Sequence, residues 1–440
     1  MSDDPASPLR IGIAGLGTVG SGVLMLLAEQ ADALALKAGR GLRATAVSAR
    51  SRSRDRGVDL AGLAWEDDPT QLAEREDVDV VVEVIGGSDG PAKALVERAL
   101  ARGKPVVTAN KALIAHHGQA LAETAEAAGV ALRAEAAVAG GIPILKALSE
   151  GLSANRLTRV VGVLNGTCNY ILTEMASTGR AYLEVLEEAQ RKGYAEADPS
   201  FDVGGIDAAH KLAILAAIAF GTRVDLAGVV TEGIDRITAA DIETADDLGF
   251  AIKLLAVARR HEMGLEQRVR PLMVPKDTLI GALPGVTNAV VVEGDSIGAC
   301  AFTGPGAGQR PTASAVLADL VDIARGRRDP LFARPAGALV ALSRLAHDHE
   351  HAPYYLRFAL RDEPGALAAL TAALGQAGIS IHRMRQYGRG ASGGTGGWAG
   401  VPVVIVTHDA RRDAIDAALA AISALSVSAA APVAIGIEEV

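Results

Sequence analysis

Apolar and polar positions follow two patterns along the first third of the chain, one typical of buried strands and one typical of helices. Short runs that are apolar on both faces of an extended chain lie at Arg10–Gly15, Leu42–Ser48, Asp79–Ile85, Val106–Thr108 and Val130–Ala136. Longer stretches with helical spacing separate them at Val19–Ala38, near Gln71, at Pro91–Arg102 and at Ala112–Ala128. Strands that are apolar on both faces and joined by helices predict a parallel sheet covered by helices on both sides.

The order of predicted elements changes after Gly140-Gly141-Ile142-Pro143, where strands and helices no longer alternate regularly. The helical stretches lie at Tyr170–Ser177, Ala181–Arg191, Ile206–Phe220 and near Ala251–His261, and a last one ends at Arg325. The strand-like stretches lie at Arg159–Leu164, Arg268–Val274 and Val286–Glu293, and a glycine-rich loop follows at Thr303–Gln309. This mixture predicts a second, α+β domain.

The final stretch, Tyr354–Val440, has the order strand, helix, strand, strand, helix, strand, which predicts a small ferredoxin-like βαββαβ module. A polar segment with alternating histidines, His347–His351, precedes it, and we expect an exposed linker there rather than a metal site. The glycine-rich segment Gly388–Gly400 lies between two predicted strands and not before a helix. We therefore expect a hairpin connection there and not a phosphate-binding loop.

Length and composition narrow the class of protein. At 440 residues the chain is too long to fold around one hydrophobic core, because single cores stop growing near ~250–300 residues. The net charge of −9 and the aromatic content of 3% argue against a nucleic-acid partner, which needs a basic surface and stacking rings. Two cysteines, Cys168 and Cys300, exclude a disulfide scaffold and fit a reducing cytoplasm. Met1–Leu9 lacks the apolar core of a signal peptide, and we expect no membrane span.

A glycine-rich turn directly follows the first predicted strand and begins the first predicted helix. It reads Gly15-Leu16-Gly17-Thr18-Val19-Gly20, which is the G-x-G-x-x-G spacing. The first glycine allows a tight turn, the second lets backbone N–H groups approach a pyrophosphate, and the third lets helix and strand pack closely. The helix N-terminus adds partial positive charge. We therefore predict a Rossmann-like dinucleotide-binding domain; the alternative is a structural turn in an α/β domain without a ligand.

The end of the second predicted strand indicates which dinucleotide is bound. An NAD site usually carries an acidic residue there for the ribose hydroxyls. Here the segment reads Val47-Ser48-Ala49-Arg50, and Arg52, Arg54 and Arg56 follow. Arginine suits the 2′-phosphate of NADP, so we expect NADP, with NAD possible, and Arg50 as a contact. The alternative is a solvated basic loop.

Four polar stretches stand in otherwise apolar surroundings. They are Thr108-Ala109-Asn110-Lys111, Val163 to Tyr170, Gly193 to Pro199 with Asp202, and Gly205 to Lys211. The first follows a predicted strand and lies at the carboxyl end of the sheet, where α/β domains bind ligands. Asp207 and Lys211 are four residues apart and hence on one face of a helix.

Together these stretches resemble the homoserine dehydrogenase family. The motifs that carry the resemblance follow the family's order: G-L-G-T-V-G, T-A-N-K, E-A-A-V-A-G-G-I-P, L-N-G-T-C-N-Y-I-L, G-Y-A-E-A-D-P, D-V-G-G-I-D-A-A-H-K and G-P-G-A-G-Q-R-P-T. Members interconvert L-homoserine and L-aspartate 4-semialdehyde with NAD(P). The resemblance thus implies an oxidoreductase acting on a CH–OH group in threonine, methionine and isoleucine biosynthesis. One departure is Cys168, where threonine is more usual.

The resemblance implies roles for residues around the substrate. Lys211 would be the catalytic acid and base, with Asp207 beside it. Glu196 would bind the substrate amino group, assisted by Asp202 and Thr167. A lysine ammonium can both donate a proton to a developing alkoxide and stabilise its charge, which agrees with the reduction of an aldehyde. Taken alone, Asp207 and Lys211 fit an ordinary surface ion pair better than a catalytic pair. The alternative for Glu196 and Asp202 is a solvated acidic loop.

The resemblance also implies cofactor and ion contacts. Lys111 would lie between the substrate and the nicotinamide, and Gly308 would help to hold the cofactor. A possible sodium ion would bind Glu135 and the main-chain oxygens of Val138, Gly140 and Ile142. Alternatively, Lys111 only begins a helix, and Glu135 is a buried acid satisfied by backbone donors.

The C-terminal module resembles an ACT domain, a regulatory fold that binds amino acids, with Gly365 at its first strand-to-helix turn. The resemblance implies L-threonine as the effector, although another amino acid is possible. The alternative is a module that only mediates dimerisation. We expect a homodimer or a homotetramer.

The sequence therefore predicts an α/β protein of three domains. They are a Rossmann-like dinucleotide-binding domain over residues 1–140, an α+β catalytic and dimerisation domain over 141–345, and an ACT-like module over 353–440. Two rival functions stay open. A phosphorylating aspartate-semialdehyde dehydrogenase would need an activated cysteine, for which Cys168 is the only plausible candidate. A non-catalytic amino-acid sensor would use the ACT-like module alone.

Overall fold

The computed structural model describes residues 7–345, 351–386 and 400–439. Three segments singled out in the sequence, Met1–Leu9, His347–His351 and Gly388–Gly400, lie mainly outside the described residues. The strands that are described form one six-stranded sheet, one ten-stranded sheet and one short two-stranded ladder.

The first unit is built on the six-stranded sheet, in which every neighbouring pair is parallel. Its strands are β1 (Leu9–Ala14), β2 (Leu42–Ser48), β3 (Ala64–Glu66), β4 (Val80–Glu83), β5 (Val106–Thr108) and β6 (Leu132–Arg133), in the order β3-β2-β1-β4-β5-β6. Its helices are α1 (Thr18–Glu29), α2 (Ala31–Ala38), α3 (Pro91–Ala101) and α4 (Lys111–Ala127). This order confirms the predicted Rossmann-like sheet. The strand order reverses between β1 and β4, and their carboxyl ends form the crevice in which such sheets bind ligands.

Two details of the first unit differ from the sequence predictions. Val19–Ala38 is predicted as one helix but forms two, because the chain leaves helical geometry at Gln30 and α2 turns away by 86°. Val130–Ala136 contains only the two-residue strand β6, and a 3₁₀ turn at Glu135–Ala137 follows it.

In the described residues no single helix is long and apolar enough to cross a membrane. The bent pair of α1 and α2 passes such a test only when the two are taken together, and by length and composition alone.

The middle unit combines helices with one half of the ten-stranded sheet. Its helices are α5 (Ile144–Lys146), α6 (Gly166–Thr178), α7 (Tyr182–Arg191), α8 (Ser200–Val203), α9 (Ile206–Phe220), α10 (Ala239–Asp247) and α11 (Gln309–Ala324). Its strands are β7 (Leu157–Val163), β8 (Val230–Thr231), β9 (Phe250–His261), β10 (Gly264–Pro275), β11 (Thr287–Gly294) and β12 (Gly298–Pro305). Helix α9 is buried from Asp207 to Phe220 and lies against β7, β9 and β10.

The helix predicted near Ala251–His261 is wrong: these residues form β9, which pairs with β10 along its whole length and with β7 on its other side. A strand in the interior of a sheet is apolar on both faces, so its pattern resembles that of a buried helix. The glycine-rich loop predicted at Thr303–Gln309 begins instead as the end of β12, which pairs with β11 as far as Pro305.

The last unit has the predicted βαββαβ order. Its elements are β13 (His351–Ala352), β14 (Tyr354–Leu360), α12 (Ala366–Gln376), β15 (Ile381–Gln386), β16 (Val401–Thr407), β17 (Ala410–Arg411), α13 (Arg412–Ser423) and β18 (Ser428–Ile437). Strand β18 pairs with β10 of the middle unit, so the two units share one sheet in the order β12-β11-β7-β9-β10-β18-β14-β16-β15, and β8, the tenth strand, pairs with β10 off this path.

Helix α11 returns from the middle unit to the first one and packs against α1. The contact is close enough that a Cβ atom at Gly22 would lie 2.7 Å from the backbone oxygen of Gln309. The buried residues of α11 belong to the same apolar core as those of β1 and α1. This packing brings the loop that precedes α11 to the crevice of the parallel sheet.

Candidate active site

A cavity of about 530 Å³ lies where the first and middle units meet. It is large enough for part of a dinucleotide and a small substrate. Its lining comes from both units: Val19, Ala109, Lys111, Ala136, Ala137, Ala139, Gly140, Asn165, Gly166, Thr167, Gly193, Tyr194, Asp202, Asp207, Lys211, Val286, Asn288, Pro305, Gly306, Ala307, Gly308 and Thr312.

The glycine turn at the end of β1 has the geometry that a pyrophosphate requires. Gly15 has a φ of +98°, and a Cβ atom there would lie 2.5 Å from the backbone oxygen of Val84. A Cβ at Gly20 would collide with the backbone oxygen of Gly15, whereas one at Gly17 would meet nothing within 4 Å. Gly17 is also the N-cap of α1, and no side chain caps the helix there. The first N–H groups of α1 thus remain available for an anion, so the turn fits a dinucleotide.

The basic loop after β2 folds back onto this glycine turn. Arg56 donates from Nε to the backbone oxygen of Leu16 at 3.2 Å, and its other nitrogens donate to the backbone oxygens of Arg54 and Ser51. The guanidinium groups of Arg52 and Arg56 lie 5.5 and 5.6 Å from the centre of the Trp65 ring. Arg50 is exposed, directly after β2. The structure therefore uses Arg56 to shape the loop and leaves Arg50 accessible to a ligand.

Asp207 lies between two lysines at the heart of the cavity. Lys211 Nζ donates to Asp207 Oδ2 at 2.7 Å and to the backbone oxygen of Leu164 at 2.7 Å. Lys111 Nζ lies 2.9 Å from Asp207 Oδ1. Burial opposes the ionised form of Asp207, but the two ammonium groups outweigh it and hold the pKa of this carboxyl well below its ordinary value.

Lys111 is kept protonated by its surroundings. Burial by itself would lower its pKa, but the Asp207 carboxylate raises it above the ordinary value, with smaller contributions from Asp202 and Glu196. The Phe201 ring lies 5.8 Å from Lys111 Nζ and packs edge-on against His210. Two positive charges, at positions 111 and 211, therefore line one end of the cavity.

Asn165 joins two carboxylates of the cavity, the buried Asp207 and the half-buried Asp202. Its Nδ2 donates to Asp202 Oδ1 at 2.8 Å and to Asp207 Oδ2 at 2.8 Å. Its Oδ1 accepts the N–H of Cys168 at 2.8 Å and so caps α6. Burial, with the charge of Asp207, raises the pKa of Asp202, and the hydrogen bond from Asn165 opposes that rise.

The structure brings most of the predicted substrate residues together. Lys111, Thr167, Asp202, Asp207 and Lys211 all line the cavity. Thr167 donates from Oγ1 to the backbone oxygen of Tyr194 at 2.7 Å. Glu196, by contrast, is exposed and does not line the cavity, although its charge is near enough to raise the pKa of Lys111.

Sequence reasoning gave no role to Asn165, Tyr194 and Asn288, which line the cavity, or to Phe201, whose ring lies near Lys111 Nζ. Only Asn165 carried a local signal, since asparagine is a preferred N-cap and this one directly precedes α6. The others reach the cavity through contacts between distant segments.

The predicted sodium site fits backbone ligands better than a carboxylate. Both Glu135 carboxylate oxygens accept backbone N–H groups, from Leu145 and from Lys146, each at 2.9 Å. Burial, with the charge of Asp319, raises the pKa of Glu135 to about 7. Ala139 and Gly140 both have positive φ, so the turn is sharp. Across the described residues no three His, Cys, Asp or Glu side chains group as a metal site. With both carboxylate oxygens of Glu135 used in this way, a sodium ion would find its ligands among the main-chain oxygens of the turn, the oxygen type that a hard cation prefers.

The parallel sheet, the open glycine turn and the two lysines at its crevice, Lys211 buried and Lys111 half-buried, define a nicotinamide-dependent dehydrogenase. Family models for the NAD-binding domain of homoserine dehydrogenase, for homoserine dehydrogenase itself and for the ACT domain match residues 15–135, 143–321 and 354–424. The chain belongs to the homoserine dehydrogenase family. It is therefore an NAD(P)-dependent oxidoreductase acting on a CH–OH group, as the sequence predicts.

Individual homoserine dehydrogenases are similar to this chain over 72% to 99% of its length. The homoserine dehydrogenase of Pseudomonas aeruginosa is 46% identical over 95% of this chain and 96% of that protein. The crystal structure of a homoserine dehydrogenase from Thiobacillus denitrificans is 43% identical, covers 99% of both chains and has a TM-score of 0.92. A hyperthermophilic archaeal homoserine dehydrogenase, solved with NADPH, is 27% identical, covers 72% of this chain and 97% of its own, and has a TM-score of 0.62.

Proposed function

We propose that Lys211 is the group that exchanges a proton with the substrate oxygen when this enzyme interconverts L-homoserine and L-aspartate 4-semialdehyde. The nicotinamide, when bound, supplies or accepts the hydride. In the reducing direction the Lys211 ammonium donates a proton to the developing alkoxide. In the oxidising direction its neutral amine takes the hydroxyl proton. The observation that carries this proposal is the buried contact of Lys211 Nζ with Asp207 Oδ2.

Asp207 and Lys111 support this proton exchange. Asp207 stays ionised and holds the Lys211 amine in one position. Lys111 binds the other oxygen of the same carboxylate and presents a second positive charge to the alkoxide. Asp202 lies beside them and offers a carboxylate for the substrate ammonium, with the exposed Glu196 as a further candidate from outside the cavity.

The preference for NADP is supported by the basic loop. Arg50 is exposed two residues beyond the end of β2, the place in a Rossmann-like domain where the ribose of the dinucleotide is bound. The archaeal relative solved with NADPH shows that the family includes a protein that binds this form. Gly308, with a φ of +117°, lies in the cavity before α11 and would approach the nicotinamide end.

The phosphorylating rival is disfavoured by the surroundings of Cys168. Its side chain is fully buried, and its Sγ donates to the backbone oxygen of Asp202 at 3.3 Å. Burial, with the charges of Asp202 and Asp207, raises the pKa of this thiol well above its ordinary value. A nucleophilic cysteine needs the opposite shift and an accessible sulfur.

Initial rates of homoserine oxidation with NADP and with NAD test the proposal. We expect phosphate-independent turnover with a lower KM for NADP than for NAD. Turnover that requires phosphate, or that is absent with both cofactors, would overturn the assignment. The same assay, repeated with L-threonine present, tests an effector role of the ACT domain.

The other assignments remain predictions. A sodium ion would be held by main-chain oxygens of Glu135, Val138, Gly140 and Ile142, and it would stiffen the turn whose Ala137–Gly140 segment borders the cavity. A melting temperature that rises with NaCl but not with choline chloride would support it. We likewise propose domain boundaries at residues 140 and 345–353, a homodimer or homotetramer, and a cytoplasmic setting.

A further inference from the structure

The side-chain amide nitrogen of Asn165 donates its two hydrogens to two different carboxylates in the cavity. Asn165 Nδ2 donates to Asp202 Oδ1 and to Asp207 Oδ2, both at 2.8 Å, across 37 and 42 residues of sequence. The asparagine is 4% exposed, so solvent does not compete for these hydrogen bonds. Two carboxylates that converge on one point repel each other unless donors are placed between them.

The two carboxylates have unequal support. Asp207 touches the ammonium groups of Lys111 and Lys211 directly. Asp202 feels these lysines only at longer range, and it also faces the negative charge of Asp207 and lies beside the uncharged Cys168. Its hydrogen bond from Asn165 is thus the closest stabilising contact for its charge. A substrate ammonium is bound well by an ionised carboxylate and poorly by a neutral one.

We propose that Asn165 is a positioning residue that keeps Asp202 ionised and set apart from Asp207, so that Asp202 can bind the substrate ammonium while Asp207 serves Lys211. This inference rests on the proposed function. It adds that substrate binding and proton exchange are kept separate by one side chain.

The second role of Asn165 makes a clean test possible. Its Oδ1 caps α6 through the N–H of Cys168, and serine and aspartate are also good N-caps. Asn165→Ser keeps a capping oxygen but removes both donated hydrogen bonds. Asn165→Asp also keeps the cap, but it adds a third carboxylate against the other two. Neither variant should unfold α6, and thermal unfolding of each verifies this.

The readout is the pH profile of kcat/KM for homoserine, measured with saturating NADP. We expect the acidic limb of Asn165→Asp to move to higher pH by about one unit or more, because one carboxyl of the three must take up a proton. KM for homoserine should rise as the pH falls below the shifted limb and return to the wild-type value above it. Asn165→Ser should shift in the same direction by less, and the dissociation constant of NADPH should stay unchanged in both.

The outcomes separate this inference from the function on which it rests. A wild-type enzyme that fails to oxidise homoserine overturns the proposed function. An active wild type whose two variants lose kcat equally at all pH values, with an unmoved acidic limb, overturns the role of Asn165 and leaves the function intact. Should Asn165→Asp fail to fold, the profile of Asn165→Ser alone decides.

Discussion

Lys111 Nζ at the start of α4 lies 2.9 Å from Asp207 Oδ1 near the start of α9. This ion pair joins the dinucleotide-binding unit to the unit that carries Lys211. It is half-buried on the lysine side and almost fully buried on the aspartate side. The pair therefore ties the crevice of the parallel sheet to the helix that carries Lys211.

Replacing Lys111 by methionine should impair both proton exchange and substrate orientation. Asp207 would lose one of the two ammonium groups that keep its pKa low, so the acidic limb of the rate profile should move upward. We expect kcat/KM for homoserine to fall by about tenfold or more, in line with the loss of one partially buried charge contact. Lys93→Met, which removes a lysine with only long ion pairs on α3, is the matched control and should behave as wild type. Equal rates in both variants would contradict the role of Lys111.

Replacing Lys211 should abolish chemistry and spare cofactor binding. Lys211→Met removes the proton donor, and Lys211→Arg keeps the charge but cannot give up a proton near neutral pH. Both variants should lower kcat by about 10³-fold, the usual scale for a general acid. NADPH titration should give a nearly unchanged dissociation constant, because Lys211 Nζ donates its hydrogen bonds to Asp207 and to the backbone oxygen of Leu164 and none to the glycine turn within the described residues. A kcat close to that of wild type in either variant would remove Lys211 from the proposed mechanism.

Two arginines of the basic loop should have separable effects on cofactor binding. Arg50→Ala should raise the dissociation constant of NADP about tenfold and leave that of NAD unchanged, because only NADP carries the 2′-phosphate. Arg56→Ala should weaken both cofactors, since Arg56 braces the loop onto the backbone oxygen of Leu16.

Fluorescence offers a direct reading of this loop without turnover. The sequence has two tryptophans, Trp65 and Trp398, and Trp398→Phe leaves Trp65 beside Arg52 and Arg56 as the sole reporter. We expect 2′,5′-ADP to change the emission of Trp65 at much lower concentration than 5′-AMP. Equal responses to the two nucleotides would argue against a 2′-phosphate contact.

His210 should make the protein sensitive to mild acid. Burial lowers the pKa of His210 from 6.5 to about 4, with the neighbouring His116 adding to the shift. The unfolded chain therefore binds a proton between these values that the folded protein does not. Stability should fall as pH drops from about 6.5 to about 4, by up to about 3 kcal/mol from this group.

Urea unfolding of wild type and of His210→Leu at pH 7 and pH 5 measures this contribution. The variant should lose less stability between the two pH values than wild type does. His382→Gln changes an exposed histidine and serves as the control. An identical pH dependence in wild type and His210→Leu would show that His210 does not titrate as its burial implies.

The parts of the fold that the sequence predicts well are those with a local cause. Strand β2 and helix α9 begin and end where predicted, because an apolar stretch bounded by Gly41 and the polar loop after Ser48 forms the first and glycines flank the second. Strand β9 was missed because its residues are apolar on both faces, and only its pairing with β7 and β10 distinguishes it from a helix.

In the candidate site, too, contacts between residues near in sequence are predictable and contacts between distant segments are not. Lys211 and Asp207 are one helical turn apart, so their contact follows from spacing alone. Asn165 meets Asp202 only because β7, α6 and α8 converge, and Arg56 meets Leu16 only because the basic loop folds back. Contacts of this kind depend on the tertiary fold, and no short pattern of residues encodes them.

Strand β18 is hydrogen-bonded beside β10, with Leu272 opposite Gly436 and Met273 opposite Ile437. Beyond this seam the buried carboxylate of Glu438 meets Arg159, Arg259 and Arg268 of the neighbouring strands. A hinge motion of the ACT domain would therefore break the hydrogen bonds between β10 and β18 and leave the buried charge of Glu438 without its arginine partners. An amino acid that binds the ACT domain would therefore affect the cavity by changing the twist of the shared sheet. A register shift of one residue between β18 and β10 would turn every side chain of β18 to the opposite face.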